Sequence, residues 1–419
     1  MTASRARLLA GIRSDRPLSF DEHLAVHGPL AALEGPAIIE AAGRAGILGR
    51  GGAGFPMERK LRAVAERGGR KVVVANGVEA EPMSAKDRVL LASAPHLVLD
   101  GVAAAAMAVG AREAIVCVPA TAPAVRTAVE DAVRERRDWG RLRVRVAPVP
   151  PRYVAGEETA LIHHLDGGPL KPTFTPPRPY ERGVGRRPTL VQNVETLAHL
   201  ALVARHGPRW FRQTGRQTSP GTMLVTLGGA VHTPGVIEVP GGTTLADALM
   251  LGGGPSEEID SVVVGGYFGA WLPAPSSLGL ALDERELGHH GAAVGAGVIV
   301  AMPASSCGVA ELARVVSWLA GQSARQCGPC ANGLPAIAGA LNRIAVGRAE
   351  RGSRAQLLRW AGMVRNRGAC RHPDGVVRLL TSALRTLDED LRDHELNGPC
   401  DACARPPLLA TPTPEALAA

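Results

Sequence analysis

Lysine is nearly missing from this chain: Lys60, Lys71, Lys86 and Lys171 are the only four among 47 basic residues. Arginine supplies the rest of a formal charge of +8, a skew that looks like genome composition. Aromatic residues are also scarce, at 3%, and the arginines are interspersed with acids. Without a basic stripe or stacking platforms, no nucleic-acid partner is expected. There is no run of about 18 uninterrupted apolar residues. The opening MTASRARLLAGIRSD has neither the apolar stretch of a signal peptide nor a small-residue cleavage site. The expectation is a cytoplasmic protein that does not itself span a membrane. Cysteine is thin where a disulfide framework would need it, with one residue in the first 300 and six after. Seven thiols so unevenly spread argue for a local metal or cluster site instead.

What is present suffices for two or three domains with their own cores, since 46% of 419 residues are hydrophobic. Apolar runs at residues 71–75, 114–118 and 144–149 predict strands, and residues 97–109 and 122–137 predict helices between them. That alternation is the mark of a parallel α/β arrangement. The proline-rich residues 169–188 predict an ordered loop over a site. From Gly221 to Pro273 the pattern becomes short strands with glycine turns (MLVTLGG, VIEVP, SVVVGG) around a helical TTLADALML, a small β-grasp-like module. After Val300 the periodicity is helical, with amphipathic segments at 309–320, 334–346, 353–365 and 376–391 and cysteines at their ends. The Pro/Ala-rich tail from Pro406 predicts disorder. The expected boundaries are 1–215, 216–300, 301–405 and 406–419.

Four glycines fall within the six positions from Gly49 to Gly54, in the run Gly49-Arg50-Gly51-Gly52-Ala53-Gly54-Phe55-Pro56. Such a loop lets backbone N–H groups approach a phosphate or a flat ring unobstructed. It does not open a standard βαβ dinucleotide fingerprint, and taken alone it is also compatible with a flexible turn. Further motifs follow: Lys60; Asn76-Gly77-Val78-Glu79-Ala80-Glu81-Pro82 after a strand; Lys86-Asp87-Arg88; Tyr153-Val154-Ala155-Gly156-Glu157-Glu158-Thr159; and Gln192-Asn193-Val194-Glu195-Thr196. Three of the four lysines, two of five phenylalanines (Phe55, Phe174) and two of six asparagines (Asn76, Asn193) lie in or beside these motifs. In an Arg- and Ala-rich chain, retained Lys, Asn and Phe suggest tasks that Arg and Ala cannot perform: a compact charge, a paired donor and acceptor, and a stacking face.

In their order and spacing these motifs resemble the NADH-binding flavoprotein subunit of respiratory complex I and its relatives in NAD-linked hydrogenases and formate dehydrogenases. The match runs over about residues 45–200, and the β-grasp and helical segments extend it over nearly the whole chain. The resemblance implies a Rossmann-like α/β domain for FMN and NADH, an SLBB-like β-grasp module and a C-terminal helical bundle. It implies that NADH is oxidised through FMN and that electrons pass singly to a 4Fe-4S cluster and an acceptor protein. FMN would be held by Gly49, Gly51, Gly52, Gly54, Lys60, Asn76, Asn193 and Thr196. Glu79, Glu157 and Asn193 would lie nearest the isoalloxazine and its phosphate, with Tyr153 and Gly156 also among the cofactor-binding residues. Phe55 and Phe174 would stack on adenine and nicotinamide. Glu81 and Glu158 would form an acidic pair near the ribose, repelling a 2′-phosphate and so favouring NADH over NADPH. The implied partner is a small iron–sulfur protein or subunit of ferredoxin or thioredoxin-like 2Fe-2S type, and a place in a larger complex stays open. Three positions depart from the family: Val78 stands for Asp, Gln192 for the first Asn, and Ala63 for a residue that is often aromatic. Val78, with the departure at Ala324 described next, keeps open a non-catalytic electron-transfer or scaffolding subunit.

The family's cluster motif has its first cysteine where this chain reads Ala324, in Ser323-Ala324-Arg325-Gln326-Cys327-Gly328-Pro329-Cys330, with Cys370 later. Cys327, Cys330 and Cys370 are the implied ligands. Three outcomes stay open: His372 or another group as fourth ligand, an open iron, or no cluster. Cys307 is a poor substitute for Ala324, because a helix over 309–322 at about 1.5 Å per residue sets them roughly 20 Å apart. The same reasoning sends Cys400 and Cys403 to that far end. A second site for zinc or an iron–sulfur centre, formed by Cys307, Cys400, Cys403 and His394, is one expectation; a merely cysteine-bearing tail is the other. Cys117, in an apolar strand, is read as a buried core thiol.

Overall fold

Strands β1 (Val72–Asn76), β2 (Glu113–Pro119), β3 (Arg143–Val149) and β4 (Thr189–Asn193) form an all-parallel sheet in the order β3-β2-β1-β4. The protein is described by a computed structural model covering residues 6–13, 15–30 and 33–412. Residues 1–5 of the stretch read for a targeting signal, and residues 413–419 of the expected disordered tail, lie outside the described residues. β1 and β2 read as continuous apolar runs because helices cover both faces of the sheet. One of them, Pro95–Val109, is buried almost all round. It meets the helix Val194–Phe211 so closely that a Cβ on Gly101 would lie 2.0 Å from the Leu197 carbonyl oxygen. Only glycine fits there. Cys117 is fully buried in β2, where burial pushes its thiol up to about 12.

This strand order places the site. From β1 the chain moves outward to β2 and β3, then returns to β4 on the other side of β1. The C-terminal ends of β1 and β4 therefore flank a crevice, where open α/β sheets bind ligands. Asn76 and Asn193, the last residues of the two strands, are register partners across it.

The second sheet contains β5 (Thr222–Gly229), β6 (Gly235–Pro240), β7 (Ile259–Val264), β8 (Ala270–Pro273) and β9 (Val298–Pro303), ordered β6-β5-β9-β7-β8. Its helix Leu245–Leu251 is capped by Thr244, whose hydroxyl accepts from the Asp247 N–H at 3.0 Å. β9 occupies the middle of the sheet although it comes last in sequence, so the expected boundary at 300 falls inside it. Local periodicity carries no trace of such long-range pairing.

The helices Gly308–Gln322, Leu334–Ala345, Ser353–Val364, His372–Thr386 and Asp388–Asn397 follow. The last two lie where one segment, 376–391, is expected; the chain breaks at Leu387. Their core (Leu312, Val316, Leu341, Leu380) is continuous with Val263, Trp271 and Val300 of the second sheet. Residues 406–412 do not behave as a free tail. Leu409 is buried, the Leu408 and Leu409 N–H groups donate to the Glu311 carboxylate at 2.9 and 3.0 Å, and the Trp318 indole donates to the Pro412 carbonyl at 2.9 Å. Composition alone hid this, because the segment's polar backbone is satisfied by distant side chains. No single helix among the described residues is long and apolar enough to cross a membrane.

Candidate active site

A cavity of about 1290 Å³ opens at the crevice between β1 and β4. The glycine loop, residues from 76 to 87 and from 153 to 158, the second-sheet residues Gly265, Phe268 and Gly295, and the bundle residues Cys370, His372 and Arg378 all line it. All three parts of the chain thus share one wall.

The glycine loop leaves Leu48 and returns at Pro56, which pair across its base. Gly52 (φ 107°) and Gly54 (φ 58°) occupy conformations that L side chains rarely adopt. The Arg50 N–H donates to the Thr196 hydroxyl at 2.8 Å, fixing the loop from below. Thr196 is consequently buried beneath the loop and does not line the cavity.

Under the crevice lies a buried charge cluster built from residues of two of the motifs, of which only Asn193 had been given an individual role. The Lys86 ammonium is 2.7 Å from an Asp87 oxygen and 2.9 Å from a Glu195 oxygen, and the Asn193 amide donates to Asp87 at 2.7 Å. Burial opposes ionisation of Glu195, but Lys86, His199 and Arg50 outweigh it and hold the carboxyl at about 2. The available signal was the rarity of lysine.

Several expected cofactor residues prove to be helix caps at the cavity rim. Asn193 caps the helix Val194–Phe211, accepting from the Glu195 N–H at 3.0 Å. Glu157 caps the helix Glu158–Leu165, accepting from the Ala160 N–H at 2.8 Å and the Thr159 hydroxyl at 2.6 Å. Glu79 accepts from the Ser84 hydroxyl at 2.8 Å, the Asp87 and Arg88 N–H groups at 2.9 and 3.1 Å, and the Arg88 guanidinium at 3.0 Å. These side chains shape the wall while satisfying helix N-termini. Asn76 orders the next turn, its carbonyl oxygen accepting from the Val78 N–H at 3.2 Å and its amide donating to the Gly156 carbonyl at 3.4 Å. Val78 packs in the core with Val72 and Ile115.

The two acids expected as a pair differ in kind. Glu158 is half-exposed and bound to Lys60 at 3.0 Å. Glu81 is buried, accepts from the Tyr153 hydroxyl at 2.9 Å and the Tyr267 N–H at 2.8 Å, and is pushed up to about 7 by burial. Phe55 lines the cavity with Arg59 over its ring at 5.3 Å. Phe174 is 87% exposed and is not on the wall, so the structure does not bring it to the site. Arg178, Pro179 and Tyr180 are the residues of that proline-rich loop that do border the cavity. Residue rarity singled out Phe174, but composition cannot trace a loop's path. Gln192 lines the cavity, and its buried amide nitrogen has no hydrogen-bond partner among the described residues. A bound ligand would supply the missing acceptor.

Of the cysteines, Cys370 lines the far wall. Burial, with Cys327 and Cys370 nearby, pushes the Cys330 thiol up to about 12. Ala324, which stands where a fourth thiol would complete this set, is itself buried and offers no donor. His372 donates through Nε2 to the Leu319 carbonyl at 2.9 Å, and burial lowers its pKa to about 4. Its Nδ1 has no partner among the described residues.

Residues 42–202 match the Nuo51 FMN-binding domain, residues 224–265 the SLBB domain, and residues 310–394 the NADH-ubiquinone oxidoreductase-F iron-sulfur binding region. The chain is 31% identical to an F subunit of the NADH-quinone oxidoreductase of Rhizobium meliloti (strain 1021), over 85% of its own length and 88% of that protein's. It belongs to the family of NADH-quinone oxidoreductase F subunits. Another F subunit, from Streptomyces coelicolor, is 30% identical over 83% of this chain and 81% of its own. The NADP-reducing hydrogenase subunit HndC of Solidesulfovibrio fructosivorans is 28% identical over 92% of this chain and 82% of its own. Among solved structures, an NAD+-reducing [NiFe]-hydrogenase in the H2-reduced state superposes with a TM-score of 0.79 at 31% identity. That match covers 89% of this chain and 64% of the hydrogenase chain. The matched FMN-binding domain encloses the glycine loop and the first sheet, and the matched iron–sulfur binding region encloses Cys327, Cys330 and Cys370.

Proposed function

We propose that this family member is an FMN-dependent NADH:acceptor oxidoreductase whose cavity holds FMN and NADH beside an iron–sulfur centre. The observation that carries the reading is the shared wall: one cavity runs from the glycine loop at the β1/β4 crevice to Cys370. FMN, when bound, accepts a hydride from NADH and releases electrons one at a time. The protein's part is to bind, orient and keep water out.

In this reading the backbone of Gly49, Gly51, Gly52 and Gly54 lies against the flavin, and Asn76, Asn193 and the unpartnered Gln192 amide contribute polar contacts. Thr196 acts through Arg50 by holding the loop. Lys60 with Glu158, and Glu81 with Tyr153, line the dinucleotide side along with Gly156, Glu79 and Glu157. The arginines Arg59, Arg178 and Arg378 on the wall attract its phosphates. Phe55 is the stacking face available, and acids at the ribose favour NADH over NADPH. Cys327, Cys330 and Cys370 hold three corners of the cluster. The acceptor is a small iron–sulfur protein or subunit, of ferredoxin or thioredoxin-like type, in the cytoplasm. The proposed domains are those expected, 1–215, 216–300 and 301–405, with the second boundary moved past 300 to the end of β9 at Pro303.

Anaerobic titration of the purified, FMN-reconstituted chain with NADH and then NADPH tests the reading. The expected result is bleaching of the flavin band by NADH alone, with further visible loss from the cluster. A chain that retains no flavin, or whose flavin NADH does not bleach, would be the scaffolding subunit that Val78 and Ala324 allow.

A further inference from the structure

We propose that Cys307, His394, Cys400 and Cys403 bind one zinc ion, and that this ion clasps the C-terminal segment of the chain onto the helical bundle. The donor atoms of these four side chains all lie within 4.8 Å of one another. Cys307 Sγ is 3.5 Å from His394 Nε2 and 3.4 Å from Cys403 Sγ. Cys403 Sγ is 3.8 Å from Cys400 Sγ and 3.9 Å from His394 Nε2. Four donors held tetrahedrally by one zinc ion, with Zn–S about 2.3 Å and Zn–N about 2.0–2.1 Å, stand roughly 3.6–3.8 Å apart. The four separations of 3.4–3.9 Å are those of ligands sharing a single ion, and the other two stay within 4.8 Å. A cuboidal cluster, with an iron at each corner, would spread its thiolates much farther, which decides between zinc and an iron–sulfur centre here.

Three separate stretches of chain converge on the site. Cys307 is the N-cap of the helix Gly308–Gln322, His394 sits near the end of the helix Asp388–Asn397, and Cys400 and Cys403 flank a short turn closed by the Cys403 N–H on the Cys400 carbonyl at 3.0 Å. His394 is buried with Nε2 turned to the sulfurs. The Ala310 N–H points at Cys307 Sγ at 3.3 Å, the kind of outer-shell contact that supports a metal-bound thiolate. Binding would release three thiol protons to solvent and leave a neutral imidazole as the fourth ligand. Three thiolates and one imidazole fill a tetrahedron, so the site is closed and structural. Its cysteines also lie outside residues 310–394, the matched iron–sulfur binding region.

The clasp has a visible load. Directly beyond Cys403 the chain packs along Gly308–Gln322, with Leu408 and Leu409 on Glu311 and the Ala410 carbonyl accepting from the Tyr267 hydroxyl at 2.7 Å. The backbone N–H of that same tyrosine donates to Glu81 on the cavity wall. Zinc therefore holds the segment that buttresses Tyr267.

The test uses the full chain, purified without added metal, with zinc and iron counted by plasma mass spectrometry. The expected result is one zinc per chain, lost at least tenfold in Cys400→Ser/Cys403→Ser with iron unchanged, while Cys327→Ser loses iron and keeps zinc. Chelation of zinc should open residues 398–412 to limited proteolysis without releasing iron. Zinc absent from the wild-type chain, zinc retained by the double variant, iron lost with it, or a disulfide among these cysteines would overturn the site. A C-terminal segment equally protected with and without zinc would overturn the clasp. Should the double variant fail to fold, cobalt(II) loaded into the zinc-depleted wild-type chain decides: intense visible bands of tetrahedral thiolate coordination support the site, and their absence overturns it.

Discussion

Two sets of cysteines stand at opposite ends of the helix Gly308–Gln322, about 22 Å apart at 1.5 Å per residue. Cys327, Cys330 and Cys370 come from loops and helix starts, reach the large cavity through Cys370, and lack a fourth thiol because position 324 is alanine. Cys307, Cys400 and Cys403 lie away from that cavity and, with His394, present four donors at single-ion spacing. Both sets contain a C-x-x-C pair, so the pair itself does not reveal its task. What separates them is the distance between donors and what the neighbouring residues line. The incomplete set faces the place where electrons would arrive, and the complete set anchors residues 406–412.

The comparison breaks most sharply with Cys330→Ser. We expect complete loss of the broad iron–sulfur absorbance and of electron delivery to a one-electron acceptor. Bleaching of flavin by NADH and the zinc content should persist. Loss of zinc as well would mean that the two ends are not separate.

Glu81 links the ends through Tyr267, and its titration can be followed. Burial holds its carboxyl at about 7, against an ordinary 4.5. Between those values the unfolded chain has already ionised while the folded chain keeps its proton. Stability from this group is therefore full below pH 4.5 and is lost as pH rises through 7. The loss amounts to about 3 kcal/mol across that window, and Glu81→Gln should remove the slope in denaturant unfolding at a series of pH values. An unchanged slope would place the titration elsewhere.

Ala324→Cys sharpens the contrast by restoring a thiol at the incomplete set. A thiolate at the fourth corner should lengthen the survival of the visible cluster band in air roughly tenfold, with zinc unaffected. No change would mean that another group already closes that corner. The smallest effect is expected from Thr196→Val, which removes the acceptor of the Arg50 N–H under the glycine loop. The cost should be about 1 kcal/mol, read as a several-fold larger FMN dissociation constant with both metal contents intact.

Much of this is legible in the sequence. The apolar runs 71–75, 114–118 and 144–149 announced the strands found at 72–76, 113–119 and 143–149, and the ordered motifs from Gly49 to Thr196 pointed to a flavin and dinucleotide site. The helix-length argument already sent Cys307, Cys400 and Cys403 to one end. Other features left no local trace. β9 enters the middle of a sheet begun some 70 residues earlier, Phe174 turns to solvent, and residues 406–412 dock despite a composition that predicts disorder. Glu79 and Glu157 could be marked as polar residues near a ligand, but their use as helix caps depends on which N–H groups the fold brings to them.

The sequence by itself determined most of the element types, the family and the residues that could form each site, because periodicity, glycine placement and donor identity are properties of short stretches. The tertiary structure alone decided how far apart Cys307, His394, Cys400 and Cys403 stand, which acid is buried enough to hold its proton near neutrality, and where residues 406–412 come to rest. Those outcomes turn on distances of a few ångströms between residues far apart in the chain, which no local pattern records.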